Sequence, residues 1–432
     1  MKFRCLFLAI LMVSPHYALS MNLNKDVDTK DDQEQLLLAL PYAFYNDATG
    51  FSAAVAISAI GYGQEQVAAV VNGFYSSNES SNIFAVVMDY QTPFSERLFI
   101  DTQVMSATWG EVDSFQQGNP KFPNDVAGSN DSDKDNFILA EGDDFLLRFT
   151  FKYLLDIGDG RGEPIHTFKT RNGQMVDGYG AGGSEWNPFS SGRTTLIFEP
   201  FYREQDFEDE FDNQFLNKTS GVKFGVQYDN RDWYKNPSYG SFQSLTVARD
   251  WGLQNESSSW TAIQFEYSKY IPLATSEKTR QRVLAFNFWT SDVPTWNSSH
   301  TDSSTGQEIF HRAPLFSGST LGGVDRQRGY PTTRFHDRSA VNYSVEYRHM
   351  PDWNPFTTMP ILKALPIPWW QMVGFVEIGR VADQYSLNEL HTDMKISAGA
   401  GIRVAVDELV VRADLAGSEE GVGVQMFIGH IF

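Results

Sequence analysis

The stretch "AVNYSVEYRH", residues 340–349, sets Val341, Tyr343, Val345 and Tyr347 against Asn342, Ser344, Glu346 and Arg348. A period of two with charge on one face describes a strand with one apolar and one polar surface. The pattern recurs along the chain. In "GVKFGVQYDN" (221–230), Val222, Phe224, Val226 and Tyr228 alternate with Lys223, Gly225, Gln227 and Asp229. In "GAGIRVAV" (399–406), Ile402, Val404 and Val406 alternate with Gly401, Arg403 and Ala405. In "LVVRADLA" (409–416), Leu409, Val411, Ala413 and Leu415 alternate with Val410, Arg412 and Asp414. A soluble β-sandwich alternates in the same way. Here the polar face is rich in glycine and charge, while aromatics gather near the segment ends of the apolar face. That favours lipid outside and a wet lumen inside.

Working outward, candidate strands fall at 39–46, 50–60, 64–76, 80–91, 96–109, 143–156, 192–204 and 219–230. The rest fall at 238–251, 257–272, 278–292, 338–350, 370–382, 395–406, 408–415 and 422–432, which makes sixteen. An even number suits a single-chain bacterial barrel, and many segments exceed the ~9–11 residues that cross a bilayer. The expected fold is therefore all-β, a single transmembrane antiparallel β-barrel over residues 39–432. One connection, 157–191, is long for a turn, so the count carries the risk of one misplaced strand.

The first residues set the compartment. Lys2 and Arg4 precede a short apolar run, Cys5 to Val13, and an Ala18-Leu19-Ser20 end, the pattern of a secretory signal over residues 1–20. Residues 21–38, "MNLNKDVDTKDDQEQLLL", read as a short polar periplasmic stub. Cys5 is the only cysteine, so the exported chain is held by neither disulfides nor thiolate metal sites. Net charge is −20, and removal of Lys2 and Arg4 takes it to −22. Such acidity argues against nucleic acid as a partner. Beyond residue 20 no apolar run approaches the ~20 residues of a membrane helix. The chain closes on "VGVQMFIGHIF", with Val422, Val424, Met426, Ile428 and Phe432 on one face. A final amphipathic strand with a terminal aromatic resembles the recognition signal of outer-membrane barrels, and Phe432 is expected to belong to the strand that closes the barrel.

Little else points to chemistry. "QDFEDEFD" (205–212) is an acidic run read as a solvated loop, since it lacks the D-x-D-x-D-G order of a calcium loop. "GYGAGG" (178–183) has no lysine after it as a phosphate loop needs. No H-E-x-x-H and no G-x-S-x-G occurs. Neither a catalytic residue, a metal nor a cofactor is expected. "PWW" (368–370) reads as interfacial anchoring before a strand.

Four stretches resemble the BamA/TamA-type assembly barrels, the bacterial surface antigen family. "YDNRDWYKNPSYG" (228–240) resembles the family's strand–turn–strand signature at Asp229, Arg231, Asp232, Pro237 and Gly240. "RQRGYP" (326–331) resembles its (V/I)RG(F/Y) loop motif, with Gln327 in place of an aliphatic residue. "GFVEIG" (374–379) resembles its F-x-D-x-G motif with Glu377 for aspartate, and "GAGIRVAVDELVVRADLA" (399–416) resembles its glycine-rich penultimate strands. The resemblance implies that the sixth extracellular loop folds into the lumen and that its arginine, Arg328, meets acidic residues on neighbouring strands. Alternation by itself places Glu346 and Glu377 on the lumenal face, with Arg403, Arg412 and Asp414 on the next two strands. Gly329 would let the backbone approach the wall, and Tyr330 and Pro331 would stiffen the tip. The other reading of Arg328 is a solvated loop charge.

Family members that insert proteins carry POTRA domains ahead of the barrel, and residues 21–38 are too short for one. The resemblance is thus to a POTRA-less barrel, whose activity it does not fix; the first expectation is a barrel that aids insertion or translocation of proteins or lipids at the outer membrane. Its expected partners are outer-membrane lipid, lipopolysaccharide and a nascent outer-membrane or secreted client. The alternative is a passive pore or structural barrel, and an outer-membrane hydrolase ranks below both for want of a motif.

Overall fold

A computed structural model describes residues 22–26, 35–46, 49–178, 186–253, 258–301, 306, 308–359, 367–406 and 409–428. The expected signal peptide and Phe432 lie outside the described residues. Sixteen antiparallel strands follow one another in sequence order within a single sheet. The first eight are Leu36–Asn46, Gly50–Ile60, Ala68–Ser76, Ser81–Gln91, Leu98–Ser114, Ile138–Leu154, Arg193–Asp209 and Gln214–Asp229. The second eight are Gly240–Asp250, Trp260–Pro272, Thr279–Asp292, Ser339–Pro351, Trp370–Ala382, Lys395–Val406, Leu409–Ser418 and Gly421–Ile428. We call the end where the chain enters the first strand the turn end, and the opposite one the loop end.

Alternation becomes the two faces of this sheet. Tyr343, Val345 and Tyr347 of the twelfth strand point outward and are exposed, while Asn342, Ser344, Glu346 and Arg348 are buried inside. Outward aromatics form tiers across neighbouring strands. Phe198 lies 5.8 Å from Phe151 and 5.3 Å from Phe224, and Phe288 lies 5.1 Å from Tyr343. Contacts of this kind between cross-strand pairs add to the pairing itself.

The fifth to eighth strands differ most from the sequence expectation. They run 17, 17, 17 and 16 residues and extend at the loop end beyond the expected bounds. The acidic run at 205–212 is therefore not simply a solvated loop. Its first part continues the seventh strand to Asp209, in register with the sixth and eighth. Backbone ladders tolerate charge on a face that remains in water, so composition misplaces the end. Asp209 then closes the turn, accepting from the amides of Phe211 and Asn213 at 2.9 and 2.8 Å.

Among the described residues, the long connection between the sixth and seventh strands holds no barrel strand. It carries a separate hairpin, His166–Arg171 and Gln174–Gly178, and Asn22–Asp26 pairs with its first strand in parallel. Part of the expected stub is thus a strand, and Leu36 to Leu38 already belong to the barrel. The hairpin tip sits under the turn end. Gly173, at φ +77°, lies against the Trp369 ring, where a Cβ would come within 1.9 Å. Its carbonyl accepts from Asn236 Nδ2 at 2.8 Å, and Gln174 Nε2 donates to the Arg280 carbonyl at 2.8 Å.

Where the sheet meets itself the structure changes character. Among the described residues no backbone ladder joins the first strand to the last. Val422 and Val424 on the outward face of the last strand are 73% and 50% exposed, but Met426 on that face is 7% exposed. Met426 belongs to one apolar cluster with Tyr42, Phe44, Phe74 and Phe84, whose side chains point into the lumen. The end of the sheet thus laps against the inner side of its beginning, held there by apolar packing. Pro41 lies inside the first strand, opposite Val55. A residue without an N–H is tolerated there because this is an edge strand.

An edge held without a ladder opens more readily than a paired strand. Amides of 36–46 and 421–428 should therefore exchange with deuterium faster than those of 240–250 when followed by mass spectrometry. Equal protection of the three segments would show that a ladder closes the barrel.

Candidate functional site

The sixth loop-end connection, residues 293–338, enters the lumen and folds into a tight turn over 322–334. Two local features shape that turn. Gly322 holds φ +106°, and a Cβ there would come within 2.1 Å of the Pro331 carbonyl. The Gly322 amide donates to the Arg326 carbonyl at 3.0 Å, and the Gly323 amide to the Tyr330 carbonyl at 3.1 Å. The turn presents Arg328 to the wall formed by the twelfth, thirteenth and fifteenth strands.

Arg328 is fully buried. Its Nε donates to Glu377 Oε1 at 3.1 Å and its backbone amide to Glu377 Oε2 at 2.6 Å. Nη2 lies 3.0 Å from both Glu346 Oε1 and Glu377 Oε1, and Nη1 donates to Asp414 Oδ2 at 2.9 Å. The guanidinium also stacks over Phe375, 3.4 Å from the ring centroid. Only a planar fork with several N–H groups engages three carboxylates in this way; an ammonium has no such geometry. Glu377, where the resembling family usually has aspartate, still reaches the loop.

The carboxylates are shared. Arg348 Nε donates to Glu346 Oε2 at 2.9 Å, and Arg403 pairs with Asp414 through Nη1 and with Glu346 through Nη2 at 3.4 Å. Arg412 Nη2 donates to the Val324 carbonyl of the loop at 2.6 Å and stands 3.9 Å from Asp414. Ser344 Oγ donates to Glu377 Oε1 at 3.2 Å. The structure thus brings Arg328, Glu346, Glu377, Arg403, Arg412 and Asp414 into one buried network.

Gly329 and Tyr330 complete the contact. Gly329 adopts φ +91°, and a Cβ would press on the Gly417 carbonyl carbon at 3.1 Å, so the loop backbone lies directly on the fifteenth strand. Ser418 Oγ donates to the Gly329 carbonyl at 2.8 Å. Tyr330 is buried with Trp289, Leu321 and Phe335 and donates to the Ile396 carbonyl at 3.2 Å. Burial, with Glu419 and Glu420 nearby, pushes its phenol up to about 12. Gln327 replaces an aliphatic side chain by a polar bond, its Nε2 donating to the Lys395 carbonyl at 3.1 Å.

The strand–turn–strand signature lies elsewhere, at the turn end. Arg231 forms a bidentate pair with Asp229 at 2.9 and 2.8 Å, and Asp232 accepts from the Ser238 amide at 2.8 Å. Pro237 is buried, and Gly240 holds φ +97°, where a Cβ would stand 1.9 Å from the Asn230 carbonyl. These five residues build a turn of their own, which meets the Arg328 network through Tyr270, hydrogen-bonded to Arg231 and lying 5.5 Å under the Arg348 guanidinium.

Sequence reading left several participants without a role. Arg348 lies two residues beyond Glu346 on the same face, a spacing that could have assigned it to the network. Phe375 carried no such signal. Among the described residues no three His, Cys, Asp or Glu side chains gather to hold a metal ion. Beside the loop remains a cavity of about 320 Å³ whose lining includes Arg148, Glu199, Lys223, Trp260 and Phe316.

An antiparallel barrel with a loop bound inside its own lumen defines the class. The Omp85 superfamily domain matches residues 177–432, more than half of the chain, and the chain belongs to that superfamily. Among solved structures, CdiB from Escherichia coli has a TM-score of 0.53 at 11% identity, covering 91% of this chain and 61% of its own. BamA from Haemophilus ducreyi lacking POTRA domains 1-3 has a TM-score of 0.49 at 12% identity, covering 92% of this chain and 70% of that one. CdiB from Acinetobacter baumannii also has 0.49 at 12%, covering 91% and 59%. The chain therefore spans about six-tenths of the CdiB proteins. No curated protein matches its sequence.

Removing one partner of a buried ion pair costs ~3–5 kcal/mol because the other charge is left uncompensated. Arg328→Ala should therefore leave a barrel that still exports but free residues 322–334 for limited proteolysis, and Arg328→Lys should behave similarly. Unchanged protection in both variants would refute the anchoring role of the guanidinium.

Proposed function

We propose that this is an outer-membrane barrel that aids the insertion or translocation of polypeptides, with the sixth loop latched inside by Arg328. The observation that carries the reading is the seam. Among the described residues, the first and last strands share apolar packing but no ladder, so each offers an unpaired edge that can template an incoming strand. The outward tiers of aromatic and aliphatic side chains suit a lipid environment, and lipopolysaccharide would meet the long fifth to eighth strands at the loop end. Superfamily membership supports the outer-membrane location.

The latch gives that seam a fixed neighbour. Arg412, Asp414 and Ser418 of the fifteenth strand all bond the sixth loop, so the strand beside the closing one is braced from inside. On the opposite side of the seam, among the described residues, the interior is the apolar cluster around Phe44 and Phe74 rather than a polar brace. A passive pore suits the geometry less well, because loop residues fill the loop side of the lumen and the hairpin at 166–178 lies under the turn end.

Reconstitution in liposomes tests this. Folding of an added unfolded outer-membrane barrel, read by protease protection, should be faster with the chain present than in empty vesicles. Bridging Tyr42→Cys to Met426→Cys with a bifunctional maleimide should remove the acceleration. A large steady conductance in planar bilayers, without any effect on client folding, would favour the pore.

A further inference from the structure

We propose that Arg334 is a positioning residue that fastens a cap over the loop-end mouth of the lumen, separately from Arg328. Its guanidinium is fully buried. Nε and Nη2 grip Glu420 through both carboxylate oxygens at 2.9 and 2.8 Å. Nη1 donates to Ser132 Oγ and Nη2 to the Ser132 carbonyl, both at 2.8 Å. The face of the group lies over Phe335 and Phe115, 4.5 and 5.1 Å from the ring centroids. One side chain thereby joins three connections: the sixth loop, the third (115–137) and the last (419–420).

Topology gives this junction its meaning. The third loop springs from the fifth and sixth strands, and the seventh from the thirteenth and fourteenth, eight strands further round the barrel. They therefore start on opposite sides of the mouth. The third loop nevertheless reaches the seventh, with Asn130 Nδ2 donating to the Asp393 carbonyl at 3.1 Å. It must cross the opening to do so, and Arg334 holds it at Ser132, two residues from that contact.

The neighbouring contact is fitted to the same end. The His336 amide donates to the Gly128 carbonyl at 2.7 Å, and its Nε2 donates to the Phe115 carbonyl at 2.6 Å. Gly128 has φ +79°, and a Cβ there would fall 2.1 Å from His336 Nε2. The third loop thus docks only with glycine at that point.

The test does not rest on client insertion. In the full chain with Cys5→Ser, Thr246→Cys places a single thiol on the wall of the lumenal cavity. A bulky maleimide should label it slowly when the cap is intact. Arg334→Ala should raise the rate by about 100-fold, the scale expected when a buried pair is broken and local opening becomes easier. Gly128→Ala, which leaves every charge in place, should do the same while the barrel keeps its compact electrophoretic mobility. If Arg334→Ala does not fold, Glu420→Gln carries the test with the same expected increase. Labelling of the Arg334 or Glu420 variant at the parental rate would overturn the proposal, whatever Gly128→Ala does.

Discussion

A guanidinium surrounded by protein is stable only while its carboxylates stay in place, and Arg328 binds three of them from three different strands. The loop and the wall therefore constrain each other. Glu346, Glu377 and Asp414 would be an unfavourable cluster of buried negative charge without the loop, even with Arg348 and Arg403 alongside. The loop in turn would carry a bare cation into a closed space. Register shares in this constraint, because a shift of one residue in any of these strands would turn its carboxylate outward. The twelfth to fifteenth strands and the sixth loop are consequently best regarded as one unit.

The other side of the barrel is built on a different principle. The inward faces of the first four strands carry Tyr42, Phe44, Val70, Phe74, Phe84 and Val86, joined by Met426 from the last strand. Apolar packing is strong but not directional, so it holds the lapped edges together without specifying a single register. Charge fixes one half of the wall and packing closes the other. The place where the two meet is the seam, which makes it the natural site of movement.

Much of this was legible in the sequence because strand alternation is a local signal. The strand pair from 370 to 406 falls where the period of two places it, and the second strand, 50–60, does as well. Glu346 and Glu377 were legible for the same reason, since parity alone assigns their face. What escaped was non-local or lay beyond the alternation. The seventh strand runs on through "QDFED" because its partners continue, which no composition rule conveys. Arg334 depends on Ser132, 202 residues away, and on Glu420, so no pattern near position 334 announces it. The family resemblance drew attention to Arg328 and not to its neighbour.

The hairpin at 166–178 bears on what the lumen is for. A channel needs a continuous wet path, and its wall charges serve to line that path. Here the charged wall residues are engaged with each other: Glu199 with Arg148 and Lys223 at 3.2 and 2.8 Å, and Lys152 with Asp101 at 2.8 Å. A side chain committed to a pair inside the wall selects solutes poorly, but it stiffens the sheet against collapse into the cavity. With the loop on one side and the hairpin under the other, the interior behaves as a braced chamber. A braced chamber lets one edge of the sheet loosen while the rest keeps its shape, and that division of labour suits a barrel working through its seam better than one conducting through its centre.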